Sequence, residues 1–204
     1  MASTLDGKIG PSHVDRFVPI GSDSDMEHLK SMRDQAEAVL IGAGTFRAWP
    51  KPHRGLDPSR RLHHFILSAS LNLDRDAELF GDASFPVTIF TRRPALASQR
   101  SLPKHVQLIA LPEDGPGLHF TLRHIEDQGV QSLLVEGGGD LVGQLIEARL
   151  LQELYLTLVT DFIGHPEAPG LLGNIQLTSS VALDILDQNQ IDDEIFLHLG
   201  LRYP

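Results

Sequence analysis

The chain has 204 residues, 41% hydrophobic and 22% charged, with a formal net charge of −10 and no cysteine. That length and composition suit one soluble globular domain with a sizeable core, and no run is long and apolar enough to span a bilayer. The acidic balance argues against a nucleic-acid or anionic-membrane surface, and the missing thiols exclude disulfides, thiolate nucleophiles and zinc–thiolate sites.

Met1-Ala2-Ser3-Thr4-Leu5 reads as the end of a strand or as a frayed terminus, with Asp6-Gly7 as a turn. Residues 24–38 are helical in pattern: Met26, Leu29, Met32 and Ala36 fall near one face, and Ser24 can cap the first turn. Ala38-Val39-Leu40-Ile41 is a short buried strand running into Gly42-Ala43-Gly44-Thr45. A short helix begins there, and Pro50 and Pro52 stop it. Residues 51–61 form a basic, proline-rich loop. Further strands are expected at 64–67, 86–90 and 106–109, and a helix at 120–128.

Ser132-Leu133-Leu134-Val135 is the next strand, and it turns on Gly137-Gly138-Gly139 into a helix over 141–148. A strand at 153–159, a loop at 164–173 and paired strands at 182–186 and 194–199 follow, with Asp187-Gln188-Asn189 as turn material. Strand–helix alternation predicts an α/β fold with a mostly parallel sheet, and the paired final strands an antiparallel C-terminal edge. No linker or repeat interrupts residues 1–204, which read as a single domain.

In such a sheet, ligands bind at the carboxyl ends of strands. Four ends carry suitable residues: 42–45, 68–70, 91–93 and 136–139. Glycine turns present backbone N–H groups to an anion, and arginines and hydroxyls serve a further phosphate. Packing alone also accounts for each of these sites taken singly. Gly42-Ala43-Gly44-Thr45 has neither the Rossmann nor the Walker pattern, no Gly-x-Ser-x-Gly elbow occurs, and the histidines show no metal-ligand spacing.

Four segments, in order and spacing, resemble the pyrimidine reductase family of riboflavin biosynthesis. They are Thr4-Leu5-Asp6-Gly7-Lys8-Ile9, residues 32–45, Val135-Glu136-Gly137-Gly138 and Leu151-Gln152-Glu153-Leu154. The family is known as the C-terminal reductase domain of a bifunctional deaminase-reductase. The resemblance implies a three-layer fold like that of dihydrofolate reductase, with helices flanking the sheet, and a cytoplasmic NADPH-dependent reductase that is often a homodimer. The reaction implied is reduction of the ribosyl group of a 5-amino-6-(phosphoribosylamino)uracil-type substrate to ribityl. Carried over by position, Asp6 and Glu136 are catalytic and substrate-facing, Thr4 touches substrate, and Arg47 or Arg54 meets its phosphate. Gly44 and Thr45 touch the cofactor, Gly137, Gly138, Gly139, Asp140 and Leu141 cradle its pyrophosphate, and Ser68 lies by the adenosine half. Arg92 or Arg93 meets its 2′-phosphate.

There are two departures. Trp49 stands where the family carries an aspartate before a proline, and the stretch before Thr4 lacks the family's longer apolar strand with its lysine. Either the native chain starts upstream of Met1 or this protein does without that lysine. These departures leave open a reductase with another heterocyclic acceptor, or a nucleotide-binding protein without catalysis.

Overall fold

A computed structural model describes residues 1–12, 18–97, 102–114 and 117–204. Its elements in chain order are β1 (Ala2–Thr4), α1 (Asp23–Gln35), β2 (Ala38–Gly42), α2 (Ala43–Ala48), β3 (His63–Leu67), α3 (Glu78–Gly81), β4 (Val87–Thr91) and α4 (Arg93–Ala97). There follow β5 (Val106–Ala110), α5 (Gly117–Asp127), β6 (Leu133–Val135), α6 (Gly139–Glu147), β7 (Glu153–Val159), β8 (Ala182–Ile191) and β9 (Glu194–Arg202). Contacts group the chain into two compact units, residues 1–29 with 137–204, and residues 30–136. No described helix is long and apolar enough to cross a membrane.

The unit of residues 30–136 holds a five-stranded parallel sheet in the order β5-β4-β3-β2-β6. Parallel strands covered on both faces have no solvent side, which is why Ala38, Val39, Leu40 and Ile41 are all fully buried. Ile41, Ile66 and Ile89 lie in one cluster with Phe46, Phe80 and Phe85, and the Phe46 and Phe80 rings stack at 4.9 Å. From β2 the chain adds β3, β4 and β5 on one side, then returns to place β6 on the other. The strand order therefore reverses between β2 and β6. The one-turn helices α3 and α4 were not expected from periodicity, which needs longer windows to register.

The other unit carries a mixed sheet in the order β1-β7-β9-β8, with β1 parallel to β7 and the remaining pairs antiparallel. The N-terminal residues are thus a paired strand. The expected parallel sheet and antiparallel C-terminal edge are both present, as two separately hydrogen-bonded sheets. The expected turn at Asp187-Gln188-Asn189 is corrected: these residues pair with His198, Leu197 and Phe196, and the chain reverses at Asp192-Asp193, with Asp192 at φ +50. β8 is an edge strand exposed at every position, so polar residues continue in it where they look like turn material. A bulge lies between Ile185 and Asp187.

Candidate functional site

The carboxyl ends of β2, β3, β4 and β6 lie on one edge of the parallel sheet, because the strands pair in register: Gly42 opposite Leu67, Leu67 opposite Phe90, and Leu40 opposite Val135. The predicted residues of residues 30–136 divide over this frame. Gly44, Thr45 and Arg47 lie on α2, directly after β2. A side chain at Gly44 would meet nothing closer than the Arg47 guanidinium at 4.0 Å, so that surface is open. Arg47 Nη1 donates to the Asn72 carbonyl at 3.4 Å. Ser68 follows β3; its N–H bonds the Phe90 carbonyl at 3.0 Å, while its buried hydroxyl has no hydrogen-bond partner. Arg92 is exposed beside it, its N–H on the Ala69 carbonyl at 3.3 Å, and Arg93 pairs with Glu113 at 3.6 Å. Arg54 is not brought to this edge. Its guanidinium lies 4.7 Å over the Phe85 ring and 3.4 Å from Asp82, near the amino end of β4.

Glu136 follows β6 and is nearly buried. Its two oxygens are forked by Arg33 of α1, Nε to Oε1 at 2.7 Å and Nη2 to Oε2 at 2.6 Å. Arg33 spends its remaining terminal nitrogen, Nη1, on the Arg54 carbonyl at 3.0 Å. Burial by itself would raise the Glu136 carboxyl, but the Arg33 fork, with His53 nearby, outweighs it and holds the group below its ordinary value. His53 is 2% exposed, with Nε2 3.9 Å from Glu136 Oε2 and Nδ1 without a partner. Burial lowers its pKa to about 4, so the ring is neutral near pH 7. The His53 N–H donates to His64 Nε2 at 2.9 Å, which leaves the His64 proton on Nδ1, 3.0 Å from the Leu62 carbonyl.

Thr4, Asp6 and the glycine stretch belong to the unit of residues 1–29 and 137–204. The Asp6 carboxylate accepts from the Thr4 hydroxyl, from Gly164 N–H at 2.7 Å and from Ile163 N–H at 3.3 Å. Those bonds, Thr4 first, lower its pKa and clamp the turn at Gly7, whose φ of +75 favours glycine. At α6 the glycines differ in what surrounds them. A Cβ on Gly139 would strike the Gly170 carbonyl and the Gly173 amide, so this glycine permits backbone-to-backbone packing within the chain. Asp140 Oδ1 accepts from Asn174 N–H at 2.8 Å, and Leu141 is buried. By contrast, a Cβ on Gly137 would meet only the Leu141 side chain, from 3.0 Å, and Gly138 is the α6 N-cap, with no side-chain cap.

Sequence reasoning missed Arg33, His53 and His64. A signal for Arg33 existed: it sits four residues after Leu29 and three before Ala36, so a charge stands on the apolar stripe and needs a buried partner. Among the described residues no cluster of His, Asp and Glu could hold a metal ion.

The family model described as RibD C-terminal domain matches residues 1–197. The 2,5-diamino-6-ribosylamino-4(3H)-pyrimidinone 5′-phosphate reductase of Archaeoglobus fulgidus is 22% identical over 182 residues, 83% of this chain and 82% of that one. Riboflavin biosynthesis protein RibD of Bacillus amyloliquefaciens is 26% identical over 84% of this chain and 47% of its own length. Among solved structures, a pyrimidine reductase-like protein from Corynebacterium diphtheriae aligns over 100% of this chain and 90% of its own, with TM-score 0.82 and 21% identity. RibD of Acinetobacter baumannii aligns over 99% of this chain and 56% of its own, with TM-score 0.77 and 18% identity. The chain thus spans about half the length of these two RibD proteins. The fold is the α/β, dihydrofolate reductase-like fold of these structures.

Proposed function

The chain belongs to the RibD C-terminal domain family, and from that premise we propose that it is an NADPH-dependent reductase of riboflavin biosynthesis. Its substrate is a 5-amino-6-(phosphoribosylamino)uracil-type compound, whose ribosyl group it reduces to ribityl; residues 1–204 act as one reductase domain, in the cytoplasm. The observation that carries the reading is the convergence of β2, β3, β4 and β6 ends on one sheet edge, at a reversal of strand order, where α/β sheets take ligands.

Two features of the chain suit the cofactor. The buried, unpartnered Ser68 hydroxyl waits for an external group, with Arg92 beside it for a phosphate. The α6 N-terminus has no side-chain cap; Leu141 and Val142 N–H bond the Gly138 carbonyl, so the N–H groups of Gly139 and Asp140 are the candidates for a pyrophosphate. Gly44 and Thr45 offer an open backbone surface to a ligand. When bound, NADPH supplies the hydride. Asp6 and Glu136 are both held ionised by their hydrogen bonds, so they act by stabilising positive charge on a reacting amine. Thr4 orients Asp6, and Arg47, on α2 directly after β2, is the candidate for the substrate phosphate.

We read the enzyme as a homodimer paired through β8. In support, this edge strand exposes Leu183, Ile185, Leu186 and Ile191. A second reading changes only the acceptor, to another heterocycle, and is favoured by Trp49, which is 38% exposed just beyond α2 where the family has an acid. NADPH oxidation followed by absorbance with the ribosylaminopyrimidine phosphate tests the main reading: turnover supports it, and NADPH binding without turnover moves the case to the second. Absence of NADPH binding at submillimolar cofactor, read by fluorescence, overturns both.

A further inference from the structure

Residues 160–181 join β7 to β8 without a helix or strand of their own. A connection of that length within a compact unit is uncommon, and one bonded along its whole course has a use for its order. Its first half is fastened to the turn that carries Asp6. Leu5 N–H bonds the Asp161 carbonyl at 3.0 Å, and Ile163 and Gly164 N–H bond the Asp6 carboxylate. Ile9 N–H bonds the Pro169 carbonyl at 2.9 Å, and Leu171 N–H bonds the Gly7 carbonyl at 3.2 Å. Its second half is fastened to α6. Asp140 accepts from Asn174 N–H at 2.8 Å, Glu147 accepts from Thr178 N–H at 3.1 Å, and a Cβ on Gly143 would strike the Leu172 carbonyl.

The two halves meet at Gly170. It bridges to Lys8 on one side, and on the other its carbonyl lies where a Cβ of Gly139 would have to go. At this crossing a single residue lies between the Asp6 turn and the first turn of α6. Lys8 closes the arrangement: its ammonium donates to the Ala168 carbonyl at 3.0 Å and reaches the Pro166 carbonyl at 3.5 Å. An ammonium that takes two main-chain carbonyls of one segment orders backbone.

We propose that residues 161–175 form a strap that holds the Asp6 carboxylate in register with the α6 N-terminus, and that Lys8 is the positioning residue that fastens it. The inference rests on the placement of substrate at Asp6 and of cofactor pyrophosphate at α6 in the proposed function. Pyrophosphate on the Gly139 and Asp140 N–H groups stiffens the start of α6. Gly170 and Asn174 stiffen with it, and the order passes along the strap to the N–H groups that hold Asp6. A ligand that rigidifies one end thereby lowers the cost of ordering the other.

NADPH is the probe, with amide hydrogen exchange and fluorescence titration of the full chain as readouts. On saturation the Ile163 and Gly164 amides exchange more slowly in the wild type, while Ile185 on β8 is unchanged. Lys8→Met, which keeps the chain length and removes the ammonium, speeds both amides about tenfold, the weight of one hydrogen bond to a charged group, and abolishes their response to NADPH. Lys8→Arg, which can reach the same carbonyls, restores the response. Should Lys8→Met fail to fold, the wild-type exchange alone decides. NADPH binding with the Ile163 and Gly164 amides unmoved overturns the strap and leaves the reductase reading standing. A folded Lys8→Met protein that keeps the response overturns the role of Lys8. No binding at submillimolar NADPH overturns the cofactor placement, and the strap with it.

Discussion

Replacing Arg33 by methionine removes the charge that Glu136 is buried against while keeping most of the side-chain volume. In the wild type the two side chains are 10% and 11% exposed, and both bonds between them are short. Breaking a buried pair by removing one partner costs about 3–5 kcal/mol, because the other charge is left uncompensated. Protonation sets a ceiling on that cost. The ordinary glutamate value is 4.5, and keeping such a carboxyl protonated at pH 7 costs about 3–4 kcal/mol at roughly 1.4 kcal/mol per pH unit. We therefore expect Arg33→Met to lose about 3–4 kcal/mol at pH 7 in urea unfolding followed by circular dichroism.

The pH dependence carries a distinctive sign. In the wild type the Glu136 value is lowered by folding, so the pair stabilises above the unfolded value and fades as pH falls through the folded one. In Arg33→Met the folded value is raised, so stability is regained as pH falls. The gap between the two proteins should narrow steadily from pH 7 toward pH 5. Arg33→Met/Glu136→Leu should recover most of the loss at pH 7. A loss under about 1 kcal/mol, typical of surface pairs, or a gap that does not change with pH, would refute the reasoning.

Other expectations follow from the same geometry. His53, lowered by burial to about 4, is neutral in the fold and titrates near 6.5 when unfolded; stability should therefore fall as pH drops below 6.5, with His53→Phe flattening that slope in urea melts. Gly139→Ala drives a methyl into the Gly170 and Gly173 backbone and should cost about 1–3 kcal/mol in thermal or urea unfolding. Gly138 has φ −65 and ψ 169, which any residue adopts, so Gly138→Val should fold normally yet bind NADPH more weakly; unchanged affinity would remove this position from the pyrophosphate seat. Ile185, 62% exposed on β8, is the handle on the homodimer: Ile185→Asp should shift the protein to monomer in light scattering without lowering its melting temperature.

The parallel strands were legible because burial on both faces leaves unbroken apolar runs, as in Ala38-Val39-Leu40-Ile41, with glycine or hydroxyl residues at their ends. Their carboxyl ends were legible as one edge for the same reason: topology alone collects them. The glycines of 137–143 were less so. A close backbone approach demands glycine whether the other party is a ligand or the chain itself, and only the position of residues 170–173 assigns Gly139 to the latter. Asp187-Gln188-Asn189 misled because an edge strand wetted on both faces has the composition of a turn. Arg33, His53 and Glu136 come from three separate segments, so neither the fork nor the neutral imidazole has any local signature.

The separation of Arg33 from Glu136 by 103 positions has a kinetic side. β2, β3, β4 and β5 pair with successive neighbours and can assemble as they emerge, whereas β6 must return past all of them to reach β2. Contacts of such long range form late. In the folded chain the 51–57 loop hangs on Arg33 and on Asp34. Pairing of β6 with β2 places Glu136 on Arg33, so helix, loop and strand are tied through one residue. The residue that neutralises the charge is thus also the signal that the sheet is complete.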